Sequence, residues 1–98
     1  MTGQTVEQAI EAFAEAAVNG DMAATLRMTT PEGLAKMADA TGSTWFKYLS
    51  YEALPPSPDG DGYLVEISYE TDIGPRKLRY RFRDIESKWM VVDAERLD

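Results

Sequence analysis

Tyr63-Leu64-Val65-Glu66-Ile67-Ser68-Tyr69-Glu70, followed by Lys77-Leu78-Arg79-Tyr80-Arg81-Phe82-Arg83, decide the fold of this chain. In the first run Tyr63, Val65, Ile67 and Tyr69 point one way, and Leu64, Glu66, Ser68 and Glu70 the other. In the second, Leu78, Tyr80 and Phe82 share one face, and Lys77, Arg79, Arg81 and Arg83 share the opposite one. Strand side chains alternate with period two, so each run has one buried and one wetted face. One wetted face is acidic and the next is basic. Opposite charges facing each other across antiparallel neighbours contribute roughly 0.2–1 kcal/mol per pair, which helps fix which strand sits beside which. The row Arg79, Arg81, Arg83 reads as a solvated sheet face with cross-strand pairs; its alternative is an anion-binding surface.

Outward from these runs, Trp45 to Leu54 is dense in aromatics and reads as a first strand. Two faces compete there: Trp45, Lys47, Leu49, Tyr51, or Phe46, Tyr48, Ser50, Glu52. Pro55 to Gly62 reads as a loop. In the last strand Trp89, Val91 and Asp93 share one face, and Met90, Val92 and Ala94 the other. Strands are thus predicted over about 45–54, 62–71, 76–84 and 88–94.

The first half is helical. Thr5 with Gln8 is a capping box. Val6, Ala9, Ile10, Phe13, Ala17 and Val18 make an apolar stripe, away from Glu7, Glu11 and Glu15. Asn19-Gly20 suits a helix end, and Asp21 caps a short second helix carrying Met22, Leu26 and, at its end, Met28. Thr30-Pro31-Glu32 opens a third, with Leu34, Met37, Ala38 and Thr41 expected inside. Helices are predicted over about 5–18, 22–28 and 31–40.

Composition narrows the chemistry. A chain of 98 residues suggests one domain. A net charge of −7 repels phosphate backbones and argues against nucleic acid. There is no cysteine for a disulfide or thiolate, and no histidine to act as a general base or metal ligand. No cofactor is implied. No signal-like segment or membrane-length apolar run is present, so the expectation is a cytoplasmic chain with no membrane partner. Asp59-Gly60-Asp61-Gly62 has the start of a calcium loop but lacks its later acidic ligands, and Asp-Gly pairs also serve ordinary hairpins. No metal site is expected.

Asn19-Gly20-Asp21 between the first helices, Thr30-Pro31-Glu32, and the closing Lys88-Trp89-Met90-Val91-Val92 together resemble the nuclear transport factor 2-like superfamily. The likeness is to its compact bacterial members of unknown function. It spans nearly the whole chain in architecture, on short motifs. The resemblance implies an α+β fold with three N-terminal helices on the concave face of a curved four-stranded antiparallel sheet. It also implies a conical pocket and dimers through the sheet.

Enzymes of that superfamily place polar residues in the pocket, and no catalytic motif of theirs matches here. Asp93 is the one carboxylate in phase with Trp89 and Val91; buried there, it would have a raised pKa and become a candidate proton-transfer group. Trp45, Tyr48, Tyr80 and Trp89 are candidates to line a small apolar pocket, with core packing as the alternative role. The leading expectation is a non-enzymatic binding module acting as a homodimer. The others are an isomerase or cyclase using acid–base chemistry, and an accessory or immunity-type protein with a basic partner.

Overall fold

A computed structural model describes residues 5–41 and 47–97. Helix α1 (Val6–Val18) begins at the expected capping box: Thr5 Oγ1 accepts from the Gln8 amide at 3.2 Å, and Gln8 Oε1 accepts from the Thr5 amide at 3.0 Å. Its stripe Val6, Ala9, Ile10, Phe13 and Ala14 is buried, while Glu7, Glu11 and Glu15 are exposed. Gly20 turns the chain at φ +72°, a left-handed conformation that glycine adopts at little steric cost. Asp21 then caps α2 (Met22–Arg27) by accepting from the Ala24 amide at 3.1 Å.

Two helical faces differ from expectation. Met22 and Leu26 are exposed and Thr25 turns inward instead, while Met28 is half-buried against the core as expected. In α3 (Pro31–Thr41) Leu34 and Ala38 are exposed, while Gly33 and Ala40 are buried and Met37 half-buried; the Thr41 side chain lies outside the described set. The cause is close approach. A Cβ on Gly33 would lie 2.3 Å from the Val91 carbonyl oxygen, so the residue without a side chain faces the strand. The rest of the buried stripe, Met37 and Ala40, follows from it at helical spacing.

The sheet is open, antiparallel and five-stranded, not four-stranded: β1 (Tyr48–Ala53), β2 (Ser57–Asp59), β3 (Gly62–Thr71), β4 (Gly74–Ile85) and β5 (Lys88–Arg96). The order is β1-β3-β4-β5, and β2 pairs with β3 beyond β1. The segment expected to be a loop thus contains a short strand. Pro58 is compatible with it because an edge strand can leave one side of its backbone unpaired. Gly60, at φ +62°, makes the tight turn into β3.

Two register shifts change the strand faces. Between Tyr48 and Ser50 the extra residue Leu49 lets both Tyr48 and Tyr51 face inward, so neither predicted phase runs the length of β1. The second lies in β5: Arg81 pairs with Asp93, but Phe82 pairs with Val91, leaving Val92 as a bulge. Val91 and Ala94 therefore both join the core, and Asp93 is carried to the opposite face.

The core lies between α1 and one sheet face. Phe13 meets Tyr80 edge-on, with ring centroids 5.1 Å apart, and Phe82 at 5.8 Å. Val65, Ile67, Tyr69, Leu78 and Val91 complete it. The α2–α3 linker runs along the far side of β5: Val91 N donates to Met28 O at 2.7 Å, and Thr30 N donates to Val91 O at 3.0 Å. No helix among the described residues is long and apolar enough to cross a membrane.

Candidate functional site

The inner face carries a tyrosine cluster. Tyr69 and Tyr80 are buried, with their hydroxyls hydrogen-bonded at 3.2 Å. Tyr48 tilts over Tyr69 with ring centroids 4.5 Å apart. Burial pushes the Tyr80, Tyr69 and Tyr48 phenols above their ordinary range, because a phenolate there would lose its hydration. Tyr51 is pushed up as well, by burial and then by the Glu15 and Glu11 carboxylates. These phenols stay protonated at neutral pH and serve as hydrogen-bond donors.

The candidate ligand residues do not converge on one site. Tyr48 and Tyr80 meet around Tyr69. Trp89 stacks edge-on against Tyr63 at 5.7 Å and sits opposite Asp84. That lies four residues along β4 from Tyr80, or about 13 Å at the rise of a strand. Trp45 lies outside the described residues. Phe13, Tyr80 and Phe82 fill the space between α1 and the sheet at this level.

Asp93, expected to share a face with Trp89 and Val91, does not. The Val92 bulge places it on the outer face opposite Arg81, exposed, with Oδ1 accepting from the Ala94 amide at 2.8 Å. The burial needed for proton transfer in a pocket is therefore missing. The sequence did carry a signal for this shift. Apolar residues at Trp89, Val91 and Ala94 are spaced two and then three apart, and a strand accommodates such a step with a bulge. Tyr48 and Tyr51 carry the same spacing in β1.

On the outer face the arginine row is matched by acids. Arg79 pairs with Glu95 and Arg81 with Asp59, while Arg83 Nε lies 3.4 Å from Asp61 Oδ1. Glu66 stands opposite Arg79 on β3. Leu64, Arg79, Arg81, Asp93 and Glu95 line a shallow cleft of ≈ 120 Å³. Asp59 and Asp61 thus face arginines, not a calcium-binding loop. Among the described residues, no three acidic, histidine or cysteine side chains gather as metal ligands.

The remaining chemically distinct feature is the edge of β1. Leu54 N donates to Glu66 O at 2.9 Å, which sets the ladder's alternation. In an antiparallel pair every second residue points its amide and carbonyl away from the partner. In β1 those residues are Tyr51 and Ala53. Among the described residues nothing bonds to their outward groups. Glu11 and Glu15 of α1 stand beside Tyr51 on the inner side, and Glu52 and Glu70 lie on the outer side.

Compared with protein-family profiles, with characterised proteins and with solved structures, the chain matches none.

Proposed function

We propose that this chain is a non-catalytic binding module of the nuclear transport factor 2-like kind, a homodimer through the outer face of its sheet. In this reading the sheet and helices form the cone that the resemblance implies. The observation that carries the non-catalytic half is the Val92 bulge, which turns Asp93 away from the inner face. The buried part of the inner face holds phenols and hydrocarbon, which bind and pack but do not take up a proton at neutral pH. The carboxylates on that side, Asp84 opposite Trp89 and Glu11 and Glu15 beside Tyr51, are exposed. Support for the dimer comes from the outer face. Leu64 gives it an apolar centre, and its rows of opposite charge, Arg79 and Arg81 beside Asp93 and Glu95, suit a two-fold partner presenting the same pattern.

Light scattering after size exclusion at tens of micromolar should return twice the chain mass, and Arg81→Glu should return one chain mass. A wild-type monomer would overturn the dimer. Faster α-proton exchange of a small ketone with wild type, lost in Asp93→Asn, would overturn the non-catalytic reading.

A further inference from the structure

We propose that the outer edge of β1 takes up an extended basic peptide as an added strand. The proposal rests on the reading that this chain works by binding, and it adds the surface and the partner's chemistry. Its first ground is the unmatched edge. Tyr51 and Ala53 present two amides and two carbonyls in the strand geometry that an incoming strand completes. The sheet's other edge is different, because Met28 and Thr30 already bond to Val91 there.

The second ground is charge. An added strand would lie beside Glu52 on one face and near Glu11 and Glu15 on the helix side. Glu70 stands one strand further in, opposite Ser50, and the cations placed nearby are Lys47 and, across Ser68 from Glu52, Lys77. All four carboxylates are exposed. Lysine or arginine at either parity of the incoming strand therefore meets a carboxylate. Such complementarity selects partners and speeds encounter.

A second copy fits this edge poorly. Pairing Tyr51 with Ala53 of the copy sets Glu52 directly opposite Glu52. Centring the pair on Tyr51 still brings both acidic flanks together. Like charges directly opposite are destabilising. The Leu49 bulge and Pro55 bracket the edge, so the segment taken up is short. Leu49, 53% exposed, and Leu54, 46% exposed, offer apolar contacts at its two ends.

The test uses the full chain, ¹⁵N-labelled, titrated with the blocked peptide Lys-Val-Lys-Val-Lys-Val. The Tyr51 and Ala53 amides should shift together and saturate, and their hydrogen exchange should slow about tenfold or more at saturation. The same peptide N-methylated at every residue keeps its charge but lacks backbone donors, and should bind about tenfold more weakly. Replacing its lysines by glutamate should abolish binding. In Glu15→Gln with Glu52→Gln, two exposed positions, affinity should fall severalfold at low salt and differ little at high salt. Three results would each overturn the proposal: no saturable shift at Tyr51 and Ala53, equal binding of the N-methylated peptide, or protection of these amides that rises with protein concentration and needs no peptide. The last would assign the edge to a second copy. Light scattering reads the sheet-face dimer separately, so failure of one leaves the other standing.

Discussion

The two edges of one sheet are finished in opposite ways. Along β5, the α2–α3 linker satisfies Val91 on both its amide and carbonyl, and Gly33 lets α3 lie against the strand. Along β1 the outward groups of Tyr51 and Ala53 have no partner among the described residues, and carboxylates stand on both sides. An uncovered edge invites pairing by other chains, so proteins cover it, bend it or charge it. Here one edge is covered. The other is bent by a bulge, bracketed by Pro55 and charged, which limits indiscriminate pairing while leaving room for a short complementary segment.

Proline substitution at each edge tests this difference. Val91→Pro removes the amide that bonds to Met28 and replaces a buried side chain, and should cost about 3 kcal/mol or more in chemical denaturation. Gly33→Ala drives a methyl group into the Val91 carbonyl and should cost about 1–3 kcal/mol, with faster exchange at Thr30 and Val91. The β4–β5 turn supports the covered edge at a cost in backbone strain, because Glu86 and Ser87 both have positive φ, at 52° and 68°. Ser87→Gly should raise stability by up to about 1 kcal/mol, because relief of the left-handed conformation, about 1–2 kcal/mol, outweighs the entropy that glycine adds to the unfolded chain, about 0.4–1 kcal/mol. Ala53→Pro on the open edge should cost about 1 kcal/mol or less, well below Val91→Pro, since the lost amide points outward and the side chain packs only partly against the core. A large loss at Ala53 would mean that this edge is paired within the chain.

Alkali offers another contrast. Tyr48, Tyr69 and Tyr80 have folded pKa values raised above the unfolded 10.0. All three are protonated in both states below pH 10, so their contribution to stability is complete there. Above it the unfolded chain ionises first, and stability falls as pH rises toward the folded values. Since Tyr48 and Tyr69 join β1 to β3, exchange should accelerate in β1 before β5.

Much of this architecture was legible in the residues. The Thr5 and Asp21 caps, the α1 stripe and the alternation through β3 and β4 follow from local chemistry and appear in the structure. What escaped was set by tertiary contact. A simple period-two rule holds only until an extra residue is inserted, so the bulge at Leu49 let neither phase run the length of β1 and the bulge at Val92 misplaced Asp93. The inward side of α3 was decided by a strand backbone reaching Gly33, a contact between distant parts of the chain. The candidate site suffered most, because it depended on the face of one carboxylate beyond a bulge. The uncovered β1 edge had no motif at all; it is a property of sheet order.

Residue-resolved hydrogen exchange of the free protein at low concentration tests the contrast between the edges most directly. Tyr51 and Ala53 amides should exchange near the rate of exposed backbone, while Val91 and Thr30 should be protected close to the limit of global unfolding. Equal strong protection at all four amides would contradict an open β1 edge and remove the ground for strand addition.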